Sequence, residues 1–236
     1  MVDLGPPPIQ GTALRKTYKL GENEVKALDG VDITLLSGEM VMLLGPSGSG
    51  KSTLLHALAG LEPPDSGQIL SEGVLLYALN DAKLSAFRNR HFGFVFQLYN
   101  LLPSMTALEN VQIPLRVSGD REAKEKSIEM LKRVGLGDRL DHRPGQLSGG
   151  EQQRVTIARA LVTVPRVVFA DEPTGNLDSS TTWEVMSLLK ELIVEKNTAC
   201  LMVTHNPELT SVADRVLHMR DGRLVDDSKV VARTHI

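Results

Sequence analysis

Nine consecutive residues, Gly45-Pro46-Ser47-Gly48-Ser49-Gly50-Lys51-Ser52-Thr53, restrict this chain to a narrow set of folds. They fit the pattern G-x-x-x-x-G-K-[ST]. In that pattern backbone N–H groups surround phosphate oxygens, the lysine reaches the β- and γ-phosphates, and a hydroxyl holds Mg²⁺. The apolar run Met40–Leu44 just before it reads as a buried strand, and Leu54–Ala59 just after it as a helix. A loop between strand and helix also receives the positive end of the helix dipole, which favours an anion there. A nucleotide-binding α/β core is therefore expected.

With 236 residues, 42% of them hydrophobic, the chain has room for one large domain carrying a sub-domain. Its net charge of −3 gives no reason to expect nucleic acid as a partner. The one cysteine, Cys200, lies in the apolar run Ala199–Val203 and reads as a small buried hydrophobe, in keeping with a reducing cytoplasm. No apolar run approaches the roughly 18 residues needed to cross a bilayer, and the N-terminus lacks the charged-then-apolar pattern of a signal peptide. If the protein works at a membrane, another subunit must recruit it.

Gly5-Pro6-Pro7-Pro8 suggests that residues 1–11 form an extended leader outside the fold. Residues 12–38 alternate and carry turn residues, which predicts short antiparallel strands. Val167–Ala170 and Leu201–Thr204 read as buried strands, and the i, i+3, i+4, i+7 repeat of Val185, Leu188, Leu189 and Leu192 predicts a helix between them. That order favours a parallel sheet with crossover helices. From about 98 to 162 helical patterns dominate, so a helical sub-domain is expected to be inserted there. Asp221-Gly222 predicts a tight hairpin. One domain is expected over 12–228, with residues 229–236 as a tail.

Two further segments carry chemistry. The strand-like Val167–Ala170 ends in Asp171-Glu172, and a carboxylate at such a strand end faces the crevice where this class of fold binds ligands. Asp171 is suited to hold Mg²⁺, and Glu172 could orient or deprotonate water. Leu147-Ser148-Gly149-Gly150-Glu151 opens a helix, and so offers a second N-terminal anion site. One triphosphate scarcely needs two such loops. Either there are two ligands, or the second loop serves a nucleotide held mainly by another copy; a plain glycine-containing cap is the simpler alternative. Trp183 and the methionines read as packing groups, and His56, His142 and His218 lack metal-ligand spacing.

The phosphate loop, Leu147–Glu151, Asp171-Glu172, Asn176-Leu177-Asp178 and Thr204-His205 resemble, in order and spacing, the motifs of ATP-binding cassette (ABC) ATPases. The resemblance runs from about Thr12 to Val225, without departure at these positions. It implies a P-loop core with a parallel sheet, an N-terminal antiparallel β sub-domain and an inserted helical sub-domain. It implies ATP and Mg²⁺ as ligands. Gly45 to Thr53 would bind nucleotide, with Lys51 on the β- and γ-phosphates and Ser52 on Mg²⁺. Tyr18 would stack on adenine, Gln97 would approach Mg²⁺ and the attacking water, Glu172 would be the general base, and His205 would hold the γ-phosphate. Ser148, Gly149 and Gly150 would act on ATP bound by a second copy, with Asp178 in that same interface.

The segment Phe96–Val111, with His142-Arg143-Pro144 and Asp171–Asp178, looks like the MacB/LolD group of cassettes. That likeness implies an ATPase subunit that dimerises on ATP and drives membrane subunits to export or extract a lipoprotein, peptide or hydrophobic substrate. It would sit on the cytoplasmic face of the membrane, bound through those subunits. The alternative is a soluble ABC ATPase of an assembly or cell-division (FtsE-like) complex. Leu98, Leu101, Leu102, Pro103 and Met105 are expected to form a partly exposed apolar patch, where the family docks a short helix of the membrane subunit.

Overall fold

The computed structural model describes residues 5–21 and 23–230. β1 (Ile9–Leu20) and β2 (Asn23–Leu35) form an antiparallel hairpin, and β3 (Met40–Leu44) leads through the phosphate loop into α1 (Lys51–Leu58). β4 (Ser66–Ser71) and β5 (Val74–Leu75) follow, then α2 (Asp81–His91) and β6 (Phe92–Phe96). Three helices come next: α3 (Ala107–Val117), α4 (Ala123–Arg133) and α5 (Gly149–Leu161). The chain ends with β7 (Val167–Asp171), α6 (Ser179–Glu195), β8 (Ala199–Val203), β9 (Arg215–Arg220) and β10 (Arg223–Lys229).

Two sheets result. One is antiparallel, in the order β2-β1-β4-β5; the other runs β10-β9-β3-β8-β7-β6. In the second, every pair from β9 to β6 is parallel, and β10 closes the edge as a hairpin. Its inner strands β3, β7 and β8 are apolar at successive positions because both faces are covered, as parallel sheets require. Along β3, Met40, Met42 and Leu44 face a core shared with the helices, whereas Val41 and Leu43 face the core shared with α1 and the antiparallel sheet. β7 divides the same way, Val168 and Ala170 against Val167 and Phe169. The period of two in side-chain direction thus turns one unbroken apolar run into two cores.

Several boundaries differ from expectation. β1 starts at Ile9, which is only 1% exposed, and Ser71 Oγ donates to the Pro8 carbonyl at 2.7 Å, so the domain begins before residue 12. Residues 1–4 of the expected leader lie outside the described residues. β1 and β2 are long strands and not several short ones. Their register shifts between Gly11 and Leu14, where Ala13 is left-handed with φ 50°, and the bulge interrupts the alternation that marks a strand in sequence. β10 continues to Lys229, one residue into the expected tail, of which residues 231–236 lie outside the described residues. Within 98–162, α3 packs against α4 and α5, while α5 also packs on β6. α5 therefore belongs to the sheet domain as much as to the helical region.

Candidate nucleotide site

The loop from Gly45 to Gly50 leaves β3 and ends as the N-cap of α1. Gly50 has φ 103°, and a Cβ there would lie 2.1 Å from the Ala27 carbonyl oxygen, so only glycine fits. The Lys51 ammonium folds over the loop and donates to the Gly45 and Pro46 carbonyls, both at 2.8 Å. Carbonyl partners are weaker than an anion, so a phosphate entering the loop could draw the ammonium away.

The loop opens into a cavity of about 480 Å³. Gly45, Ser47, Gly48, Gly50, Lys51, Ser52 and Thr53 line it together with Tyr18, Asp171, Glu172 and His205. Residues spread from β1 to the loop after β8 are thus brought to one volume, at the C-terminal ends of the parallel strands. Val25, Ala27 and Val203 complete the wall. The Tyr18 hydroxyl donates to the Glu62 carboxylate, 2.8 Å from each oxygen, and Lys16 Nζ lies 5.7 Å from the ring centroid. Lys16 in turn pairs with Glu62 at 3.4 Å and with Asp65 at 3.3 Å. Glu62 is absent from the residues expected from sequence; it stands 44 residues from the tyrosine it anchors, and no local pattern marks it.

Asp171 is the last residue of β7, and burial raises its carboxyl above the usual carboxylate range. Glu172 follows with φ 48°, a left-handed conformation that a glutamate rarely adopts, held by its N–H donating to the Val203 carbonyl at 2.9 Å. Strain of this kind persists where surrounding structure over-determines it, and it clusters at functional sites. Here it separates the directions of two adjacent carboxylates. His205 Nδ1 lies 2.8 Å from Glu172 Oε1; with the carboxylate as acceptor, Nδ1 carries the proton. Asp171 and Ser52 offer hard oxygen donors in one cavity, which suits Mg²⁺.

The remaining expected residues are placed elsewhere. Gln97 does not line this cavity. Its amide faces Asn176, with Gln97 Nε2 3.4 Å from Asn176 Oδ1, while Asn176 Nδ2 donates to the Gln97 carbonyl at 3.0 Å. Pro46 and Ser49 form part of the loop backbone but not the cavity wall; Ser49 is buried. Ser148, Gly149 and Gly150 also stand apart from the cavity lining. Ser148 caps α5 through a capping box: its hydroxyl accepts from Glu151 N–H and the Glu151 carboxylate accepts from Ser148 N–H. A Cβ on Gly150 would lie 2.5 Å from Thr181 Cγ2, so α5 meets α6 there with no room for a side chain. Asp178 caps α6, and its hydrogen bonds from Thr181 N–H and the Ser180 and Thr181 hydroxyls hold its carboxyl below the usual carboxylate range. Trp183, expected as a packing group, is 38% exposed and lines a small polar cavity with Glu172 and His205.

A second, largely apolar groove of about 470 Å³ lies beside Gln97, lined by Phe94, Phe96, Ile113, Pro114 and Val117 with Asn100 and Arg159. Leu98 and Leu102, expected in an apolar patch, are 74% and 46% exposed, but Leu101 packs against the core.

The family model described as "ABC transporter" matches residues 28–175. The chain is 48% identical to the lipoprotein-releasing system ATP-binding protein LolD of Psychrobacter arcticus, over 91% of this chain and 96% of that protein. It is 49% identical to the macrolide export ATP-binding/permease protein MacB of Chlorobaculum tepidum, over 91% of this chain but only 33% of that longer protein. Among solved structures, a dimeric ATP-binding cassette in a post-hydrolysis state, bound to ADP and Pi, matches with a TM-score of 0.85 and 38% identity, covering 94% of this chain and 99% of that one.

Proposed function

The chain belongs to the ABC transporter family as an ATP-binding, ATP-hydrolysing subunit, and from that premise we propose that its working form is a pair of copies closed face to face on two ATP molecules. The observation that carries this reading is the split of the site. Tyr18, the phosphate loop, Asp171, Glu172 and His205 share one cavity, and Ser148–Gly150 do not line it. The N-terminus of α5 is suited to an anion but does not border the phosphate-loop cavity of its own chain, and a second copy supplies one. The similar cassette solved with ADP and Pi is itself a dimer.

In that arrangement Lys51 and the loop N–H groups hold the β- and γ-phosphates, and Tyr18 takes the adenine. Ser52 and Asp171 hold Mg²⁺, which neutralises phosphate charge when bound; its donors are present in the cavity. Glu172 accepts a proton from water as the water oxygen bonds to the γ-phosphorus and the bond to the β-phosphate oxygen breaks, giving ADP and phosphate. His205 orients the Glu172 carboxylate and reaches the γ-phosphate. Ser148, capping α5 in the other copy, donates a hydrogen bond from its hydroxyl to that phosphate, and the helix N-terminus stabilises the charge.

The groove beside Gln97 receives a short segment of a membrane permease subunit, so that movement of Gln97 and of the groove are one event. No helix among the described residues is long and apolar enough to cross a membrane, and attachment to the cytoplasmic face runs through that partner. The relatives named for lipoprotein release and for macrolide export point to extraction or export of a lipoprotein or hydrophobic molecule. Glu172→Gln tests the reading. It should bind ATP normally, turn over roughly 10²–10⁴-fold more slowly, and elute as a dimer with ATP in size-exclusion chromatography. Wild-type turnover would remove Glu172 from the mechanism, and a monomer under saturating ATP would remove the closed pair.

A further inference from the structure

The four residues Gln97-Leu98-Tyr99-Asn100 leave β6 between the nucleotide cavity and the groove. Tyr99 and Asn100 are both left-handed, with φ 59° and 50°. Two adjacent non-glycine residues in that region are unfavourable, more so for tyrosine than for asparagine. Something must hold them. On α5, the Arg159 guanidinium donates from Nη2 to the Tyr99 carbonyl at 2.9 Å and from Nη1 to the Asn100 carbonyl at 2.6 Å. Its two partners are therefore the two strained residues. Burial pushes this guanidinium below the usual arginine range. A charged fork is placed here although two neutral carbonyls repay its desolvation poorly. The thirteen-residue α5 starts at Gly149 with Ser148 as its N-cap, so the helix that presents the second anion site also grips the Gln97 loop.

We infer that Arg159 is a positioning residue that latches the Tyr99–Asn100 pair and so keeps Gln97 turned towards Asn176 and out of the nucleotide cavity. The other end of the loop is fixed by Asn176, through the bond to the Gln97 carbonyl. Between these two anchors the loop has one arrangement in this structure, and releasing Arg159 frees the strained pair to relax, which lets Gln97 turn. Arg159 and Asn100 also line the groove. A segment seated there that offers its own acceptor to Arg159 competes with the two carbonyls and opens the latch. The inference rests on the reading of Gln97 as the residue that approaches the reacting phosphate, and it adds what restrains it.

Steady-state ATPase assays on the full chain, without membrane partner, test it. Arg159→Lys keeps the charge and stem but loses the planar fork. Its basal kcat should rise several-fold with KM for ATP unchanged, and amide hydrogen exchange should quicken at residues 97–101. Adding Gln97→Ala should cancel the rise. Adding Asn100→Gly should also return kcat towards wild type, because glycine takes the left-handed conformation freely and keeps the loop in place without the arginine. Loss of turnover in Arg159→Lys, or a change that Asn100→Gly does not reverse, overturns the latch. Should Arg159→Lys not fold, Asn100→Gly alone decides, at an exposed position: a lowered basal kcat supports the latch, and an unchanged or raised one overturns it. If Gln97→Ala by itself leaves wild-type turnover unchanged, the role of Gln97 fails and takes the latch with it. That differs from Gln97→Ala lowering turnover while Arg159→Lys changes nothing, which removes the latch alone.

Discussion

Tyr18, proposed to take the adenine, is held at the cavity by its hydroxyl as well as by its ring. The hydrogen bonds to Glu62 hold the ring at the cavity wall in one orientation, so a base stacking on it does not first have to freeze the side chain. Removing the ring with Tyr18→Ala should weaken ATP and GTP binding alike by about 1–3 kcal/mol. Tyr18→Phe, which keeps the ring and frees it, should fall between. Isothermal titration calorimetry separates these cases, and an alanine variant that binds like wild type would return Tyr18 to an ordinary strand residue. The contrast with Glu62 shows what is legible in sequence at this scale. Gly45 to Thr53 act through a local backbone shape, so their pattern announces them. Glu62 acts through a contact closed only by the fold, and nothing near it in the chain marks it. Gln97 lies between these: its position after a strand is legible, but its rotamer, facing Asn176, is not.

Elements are legible where burial is symmetrical. β3, β7 and β8 are covered on both faces, so each is an unbroken apolar run bounded by polar residues. α2 gives no such signal because only Leu84 of its eleven residues is buried, which leaves no periodic stripe to detect. The docking patch is half legible for a related reason: apolar composition after Gln97 does not say which side chains turn inward. Leu101 turns in and packs against the core, whereas Val117, at the C-terminal end of α3, is 71% exposed at the groove. Monomeric proteins seldom expose a large apolar surface unless it serves an interaction, and this groove is the docking site proposed above. Val117→Asp should therefore leave ATP binding and thermal stability unchanged and abolish co-purification with the permease. Leu101→Asp should instead destabilise the fold by about 1–3 kcal/mol, because it sets a charge against the core from a partly buried position. Co-purification surviving Val117→Asp would place the docking surface elsewhere.

At the scale of the whole molecule, the proposed pair gives each chain two half-sites that point to different partners. Its phosphate loop would take a foreign Ser148–Gly150, and its own Ser148–Gly150 would take a foreign phosphate. A two-fold pair satisfies both at once, since a self-complementary interface repeats each contact twice. The presence of two anion-binding loops in one sequence already argues for such a pair, because one triphosphate does not need both. What the sequence does not reveal is that α5 and α6 meet at Gly150 and Thr181, leaving no room for a side chain. That contact decides how the pair should be tested. Substituting Gly150 would force α5 and α6 apart within one chain. A Cβ on Gly149 meets first the Tyr99 hydroxyl at 3.0 Å and the Leu177 side chain at 3.5 Å, with the Asn176 carbonyl oxygen at 4.0 Å, so side chains can give way there. Lys51→Ala chains lack a working phosphate loop, and Gly149→Glu chains lack a working second loop, so each alone should be inactive. Mixed in equal amounts they form pairs of which half are hybrids, each with one intact composite site. Turnover should then recover to at most about a quarter of wild type if the two sites act independently. A mixture no more active than its separate components would show that each chain hydrolyses ATP with its own residues only.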